Sequence, residues 1–423
     1  MIPEPHRQAT APILPPDSDH LIVILGAGHA GGRAAEALRA AGFKGGVTVV
    51  GDENHPPYER PPLSKELLAG TFEVERTYIK PREYYEQAGI ALRLGSAAVA
   101  IDRQAQRLRL ADGGTLPYDS LLLTMGARPR RLSTAGGGGE GIYYLRDIDD
   151  CLKLRAVLAA ERHLIVIGAG FIGLEAAAVA RARGCTVTVV EAAATPLARV
   201  APPELGAFYA ELHRGKGVTL HLGAAVTAIE QRGDAAIVRL ASGETLAGDA
   251  VLVGIGAVPN SELAVAADLS VDDGILVDAH GRTSDPLIFA AGDVTRHFNP
   301  LLGRRIRLEA WQNAQNQAIA VAKVMAGGSE PYAELPWFWS DQYDVNLQTA
   351  GVPERWDQIV RRGRAGDGRF TLFYLDRGIP VGGATVNNAR DMRFVKLLAT
   401  QAKPVDPARL ADPAVKLADL AKS

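Results

Sequence analysis

The chain is expected to fold as an α/β protein built on two Rossmann-like dinucleotide-binding domains. Two observations predict this. LIVILGAGHAG at Leu21 to Gly31 and LIVIGAGFIG at Leu164 to Gly173 each join an apolar strand to a G-x-G-x-x-G turn and a helix. Each is then closed by a strand reading VTVV that leads to a carboxylate: Asp52, 21 residues after Gly31, and Glu191, 18 residues after Gly173. Both spacings lie near that of a ribose contact. One such turn is weak evidence, but repetition of the whole unit implies two dinucleotides bound at once, with electrons passing between them.

In the first copy, Leu21 to Leu25 form an apolar run suited to a parallel strand covered on both faces. Gly26 permits the tight turn, Gly28 close backbone approach to a pyrophosphate, and Gly31 close helix-to-strand packing. The helix that follows offers free N–H groups and a positive dipole end, is expected to run to about Ala41, and is stopped by Gly42. Val47 to Val50 is the next strand. NHPPYERPPLSKELLAG follows, and its four prolines read as a rigid extended loop carrying Arg60 and Lys65, which in a generic loop would be solvated charges.

In the second copy, Gly168, Gly170 and Gly173 repeat the turn, and a helix is expected from Ile172 to Arg183 with Glu175 on its first turn. A favourable interaction with the helix dipole would by itself account for that carboxylate. Glu191 is followed by three alanines rather than a basic residue. A carboxylate accepts hydrogen bonds from a free 2′-hydroxyl and repels a 2′-phosphate, so NADH is expected over NADPH.

At 423 residues the chain has room for about three domains. Its net charge of -2 gives no overall bias toward nucleic acid or an anionic membrane, and no apolar run approaches the ~20 residues that cross a bilayer. The first twenty residues carry five prolines and no basic stretch followed by an apolar one, so a loose tail and a cytoplasmic protein are expected. Only Cys151 and Cys185 are present, too far apart for a redox dithiol, and Cys185 opens the apolar run CTVTVV as a core residue. No Cys/His cluster suggests a metal centre, which leaves one-electron chemistry to a bound organic cofactor.

YERPPLSKELLAG, at Tyr58 to Gly70, closely resembles the flavin-side loop of the oxygenase-coupled NADH-dependent ferredoxin reductases. These FAD flavoproteins are similar to putidaredoxin reductase and biphenyl dioxygenase ferredoxin reductase, and are related to apoptosis-inducing factor. The likeness continues along nearly the whole chain after the tail. It implies a glutathione-reductase-like architecture: a disordered tail at 1–18, an FAD-binding domain at 19–145 and 261–330, an inserted NAD-binding domain at 146–260, and a small α+β C-terminal domain at 331–423. LPYDSLLLTMGARPR at Leu116 to Arg130 and DAVLVGIGAVPN at Asp249 to Asn260 resemble the family's two crossovers, although Thr124 and Met125 replace its usual Ala and Thr.

The same resemblance implies site residues. Non-covalent FAD would be met by Gly26, Gly28, His29, Ala30, Gly31, Asp52, Arg60, Lys65, Ala98, Arg146, Asp293, Ala310, Trp311 and Trp339. Of these, Asp293 in IFAAGDVT would accept a bond from a ribityl hydroxyl. Ala310 stands where Ser or Thr is commoner, so one polar contact would be missing. Trp311 and Trp339 are open to a packing reading, and Trp337 and Trp339 are core aromatics by default. NADH would be met by Gly168, Gly170, Phe171, Ile172, Gly173, Glu191, Arg199, Gly256 and Glu309, with Glu309 facing the nicotinamide. Lys65 and Glu175 are the implied catalytic pair, the lysine beside the isoalloxazine N5 edge and the glutamate holding it.

The activity implied is hydride transfer from NADH to FAD, then single electrons to a [2Fe-2S] ferredoxin feeding a Rieske oxygenase or a cytochrome P450 in aromatic hydrocarbon catabolism. Arg304, Arg305, Arg307 and the run Arg361 to Arg364 would meet an acidic ferredoxin, or else form a solvated face. An NADH oxidase or peroxidase of the same architecture is a rival reading, against which stands the absence of cysteine between Lys65 and Gly95. A protein resembling apoptosis-inducing factor, in which NADH binding switches conformation, is a second rival.

Overall fold

The computed structural model describes residues 19–233 and 235–422; the expected tail at 1–18 lies outside them. The first of two compact units comprises the described residues up to Tyr58, with Tyr78–Ala127 and Pro259–Glu334. Its sheet has five parallel strands in the order Ile288–Ala290, Ser120–Leu123, Leu21–Leu25, Gly46–Val50, Ile90–Arg93. Such a sheet is covered on both faces, so its central strand must be apolar on both; Ile22, Val23 and Ile24 are all buried. On one face the helices His29–Ala40 and Trp311–Met325 share a core in which Ala34, Ala35, Ala318 and Ala322 permit close approach. On the other lies an antiparallel meander, Ala98–Asp102, Arg107–Leu110 and Thr115–Pro117.

The second unit comprises Glu59–Thr77, Arg128–Val258 and the described residues from Leu335. It repeats the architecture, with parallel strands in the order Val218–Leu222, Thr186–Glu191, His163–Ile167, Ala250–Val253, Ile142–Tyr143. A meander of Val226–Arg232, Ala235–Leu240 and Thr245–Gly248 again covers one face. Cys151 and Cys185 are free and buried, and burial pushes both thiols up, Cys151 to about 12.

The proline-rich segment departs from expectation. Pro61–Ser64 is a 3-10 turn and Glu66–Ala69 a short helix, not an extended loop. Proline fixes φ near the helical value and needs no N–H partner in a first turn, so paired prolines start a turn here rather than prevent one. The segment, placed by the resemblance in the 19–145 domain, belongs to the second compact unit, where Arg155 and Arg183 donate to the carbonyls of Leu67 and Ala69.

From Leu335 the chain forms a five-stranded antiparallel sheet in the order Trp337–Gln342, Val345–Ala350, Ile379–Val386, Arg369–Asp376, Gln358–Arg364. Met392, Val395 and Leu398 of the helix Ala389–Gln401 close its core. Arg362, expected in a surface basic run, instead donates to the carbonyls of Leu410, Asp412, Pro413 and Val415, tying down the C-terminal segment. Among the described residues no helix is long and apolar enough to cross a membrane.

His297, on the strand Thr295–Asn299, is buried 5.5 Å from the Tyr332 ring, and neither of its ring nitrogens has a hydrogen-bond partner. Burial, reinforced by Arg305, pushes it down to about 4. The unfolded chain therefore binds more protons between the ordinary value and 4. The stability involved is complete above about pH 6.5 and lost as pH falls toward 4, approaching roughly 3 kcal/mol. His297→Phe should shrink the drop in Tm between about pH 7.5 and about pH 5; an unchanged drop would exclude this account.

Candidate active site

All five strands of each Rossmann-like sheet run parallel, so the loops after their C-terminal ends collect along one edge, where such folds bind ligands. The two glycine turns on these edges share one geometry. Gly26 donates to Val50 O at 2.7 Å and Gly168 to Val190 O at 2.8 Å. Both have left-handed backbones, φ +117 and +103, and a Cβ would lie 2.3 Å from Thr124 O at Gly26 and 2.4 Å from Gly254 O at Gly168. A Cβ on Gly31 or Gly173 would fall 1.9 or 2.2 Å from the carbonyl oxygen of Gly26 or Gly168. Glycine is therefore required four times for steric reasons.

The helices that follow begin with Gly28 and Gly170 as N-caps, with neither a side-chain cap nor an acid in the first turn. Their leading N–H groups are left for an external anion. This pair of uncapped, glycine-lined helix starts fits the pyrophosphates of two dinucleotides.

In the first unit the edge gathers most of the expected flavin residues. The rings of His29 and Trp311 lie 5.2 Å apart, and Gly292, beside Asp293, sits so near Ala30 that its own Cβ would come within 3.1 Å of the alanine methyl. Gln317 pins this turn, its carboxamide oxygen accepting from Gly292 N–H at 2.8 Å and the Thr295 hydroxyl at 3.1 Å. Thr124, the departure from the family pattern, has a use of its own: its hydroxyl donates to Gly26 O at 2.9 Å. Ser96 main-chain N–H donates to Gly51 O at 2.8 Å, bringing the start of the Ala98 strand to the same edge. Asp52 is exposed there, whereas Glu53 accepts the Tyr58 hydroxyl at 2.5 Å. Glu309 is engaged by Arg307.

Arg60, Lys65, Arg146 and Trp339 belong to the second unit. Arg60 donates to Arg146 O, and Trp339 stacks on Trp337 at 5.3 Å. Around the second glycine turn, Glu191 accepts from Ala169 N–H at 2.7 Å and Ala193 N–H at 2.8 Å, which holds its carboxylate against the turn. The Arg199 guanidinium lies over Gly256, about where a Cβ on that left-handed residue would meet it at 3.1 Å. Phe171 and Ile172 open the helix, Ile172 exposed.

Glu175 is not on the first turn, because the helix starts at Phe171. Dipole capping therefore does not explain it. Its carboxylate is 2% exposed, accepting from Lys65 Nζ at 2.7 Å and the Ser64 hydroxyl at 2.5 Å on one oxygen, and from the Ser340 hydroxyl at 2.6 Å on the other. Ser340 arrives by a match of periods. Phe338 and Ser340, two apart on the strand Trp337–Gln342, meet Phe171 and Glu175, four apart on the helix. Two strand residues advance ~6.6 Å and four helical residues ~6 Å, so the registers coincide. Ser64 and Ser340 escape sequence reasoning; the only signal was the polar residue set into the W-F-W-S-D-Q alternation.

With this geometry in hand, similarity to other proteins places the chain. Residues 20–318 match the pyridine nucleotide-disulphide oxidoreductase family and residues 337–421 the reductase C-terminal family. The chain belongs to the pyridine nucleotide-disulphide oxidoreductases and carries a reductase C-terminal domain. It is 46% identical to the ferredoxin–NAD(+) reductase component of the anthranilate 1,2-dioxygenase system of Burkholderia cepacia, over 93% of this chain and 98% of that one. It is 40% identical to putidaredoxin reductase of Pseudomonas putida, over 94% and 96%. The fold superposes on putidaredoxin reductase in its covalent complex with putidaredoxin, with a TM-score of 0.92 at 39% identity and coverage of 96% and 98%.

Ala310 is the extended N-cap of the helix Trp311–Met325, which has no side-chain cap. Ala310→Ser should restore one and stabilise the protein by roughly 0.5–2 kcal/mol, raising Tm in a thermal melt. A lowered Tm would mean that the site has no room for the hydroxyl.

Proposed function

We propose that the chain is an NADH-dependent FAD ferredoxin reductase of the cytoplasm, passing single electrons to a [2Fe-2S] ferredoxin that feeds a Rieske oxygenase or a cytochrome P450. The observation that carries this reading is the pair of sterically matched, uncapped glycine turns, one on each parallel sheet. It is supported by relatives that serve dioxygenase systems and by putidaredoxin reductase. The first turn would hold FAD through Gly26, Gly28, His29, Ala30 and Gly31, with Asp52, Ala98, Asp293, Ala310 and Trp311 along the same edge. The second would hold NADH through Gly168, Gly170, Phe171, Ile172 and Gly173.

Bound FAD supplies the redox chemistry, accepting a hydride from NADH and releasing electrons singly to an iron–sulfur protein. The chain's residues bind, orient and set charge. Lys65, fixed by Glu175, would supply the cation that reduced flavin needs, and Arg60, Arg146 and Trp339 are the other residues of the second unit that the family resemblance assigns to FAD. Glu191 would bind the free ribose hydroxyls and disfavour a 2′-phosphate. Arg199 and Gly256 would line the nicotinamide nucleotide, and Glu309 would face its ring. The buried, unreactive thiols count against an oxidase or peroxidase working through a redox cysteine.

For ferredoxin docking, Arg305 and Arg362 donate to main-chain carbonyls and Arg307 pairs with Asp273 and Glu309, while Arg361 and Arg364 are exposed. These two are the charges proposed to meet the acidic partner.

The purified protein should be yellow, and in stopped flow NADH should bleach the flavin absorbance far faster than NADPH, with colour returning when oxidised [2Fe-2S] ferredoxin is added. A polypeptide that stays colourless after reconstitution with FAD would overturn the reading. Glu191→Gln, which keeps one acceptor oxygen and removes the charge, should narrow the NADH preference by about tenfold. An unaltered preference would remove Glu191 from cofactor selection.

A further inference from the structure

Beyond Glu175 the hydrogen bonding continues into the C-terminal sheet. Ser340 Oγ lies 3.1 Å from Gln342 Nε2, Gln342 Oε1 lies 2.8 Å from His213 Nε2, and His213 Nδ1 lies 3.4 Å from the Tyr343 hydroxyl. Ser340, Gln342 and His213 are each 1% exposed or less. All belong to the second unit.

The direction of every bond in this chain follows from its first member. A carboxylate only accepts, so Ser340 must donate its hydroxyl proton to Glu175. Its oxygen is then free to accept, so the Gln342 amide faces it with N–H and turns its carbonyl oxygen toward His213. That oxygen needs a donor, which puts the His213 proton on Nε2 and leaves Nδ1 to accept from Tyr343. Burial pushes His213 below its ordinary value, which favours the neutral ring this pattern requires. With the amide flipped, Ser340 would be drawn to donate to Gln342 and Glu175 would lose its third donor.

We infer that His213, Gln342 and Ser340 are positioning residues that lock the Glu175 carboxylate, and through it Lys65, in the geometry used for hydride transfer. The inference rests on the proposed role of the Lys65–Glu175 pair in the nicotinamide–flavin site. His213 reaches neither cofactor residue directly; it acts by orienting Gln342, which orients the Ser340 proton. Aligned bonds of this kind polarise one another, so losing the far donor weakens the near one.

The test uses the full-length holoprotein. His213→Leu removes the donor, Ser340→Ala removes the last link, and His213→Gln supplies an N–H in its place. Each single loss should slow flavin reduction by NADH roughly tenfold, with His213→Gln restoring most of the rate. Combining His213→Leu with Ser340→Ala should cost no more than either alone, since both break one chain; loss of packing would instead add. Independently of activity, nitrogen-15 NMR of labelled histidine should show a neutral Nε2–H ring that persists below the ordinary histidine range and vanishes in His213→Gln, whereas the buried His297 ring, neutral over the same range, is unaffected. Additive effects, no rescue by glutamine, or a His213 ring, identified by its loss in His213→Gln, that is protonated on Nδ1 would overturn the inference. If Glu175→Gln leaves NADH reduction unchanged while the NMR pattern stands, the role of the ion pair fails and the bonded chain survives as structure alone.

Discussion

A buried carboxylate with no donors of its own governs the second half of this molecule. Glu175, on a helix inside an apolar layer, can be satisfied only by groups brought to it, and an unsatisfied charge there would be strongly destabilising. Its donors come from residues 110 positions before it and 165 after it, on segments that share no local sequence relation. Meeting that demand ties the Pro61–Ser64 turn and the strand Trp337–Gln342 to the helix of the second glycine turn. It also explains why the segment bearing Lys65 belongs to the second compact unit although it directly follows the first Rossmann motif.

The repeated glycine turns show a different kind of constraint. Their geometry agrees between copies to a few tenths of an ångström because carbonyl oxygens of the turn itself and of Thr124 or Gly254, just past the neighbouring strand, occupy the space a side chain would need. The same crowding presses helix against sheet, and the missing side-chain caps leave the helix N-termini facing the sheet edge. The copies differ in what surrounds them. Thr124 and Gln317 brace the first turn, and Glu191 braces the second through main-chain N–H groups. One type of turn thus stands on two different sets of supports.

The arginine runs show where sequence reading stops. RRIR and RRGR read alike, as basic patches, because charge counts ignore what lies across space. Arg361 and Arg364 are exposed, while Arg362 lies across the C-terminal segment and Arg305 and Arg307 find carbonyls and carboxylates. Likewise, the prolines at 61 and 62 read as stiffness but start a turn by local geometry, and the partner of that turn's Ser64, Glu175, lies over a hundred residues away.

The amino-acid order alone determined the α/β class, the duplicated Rossmann units, the four sterically required glycines and the family. The class and the duplicated units rest on short-range rules, since strand period, turn geometry and helix start act within about ten residues; the oxygens that exclude a side chain at Gly26 and Gly168 belong to the distant Thr124 and Gly254. Tertiary structure decided which carboxylate is buried, which hydroxyls serve it, which way Gln342 and His213 point, and which arginines remain at the surface. Those outcomes depend on hydrogen-bond partners selected by packing, and a donor and acceptor separated by the length of a domain leave no mark on either's neighbours in the chain.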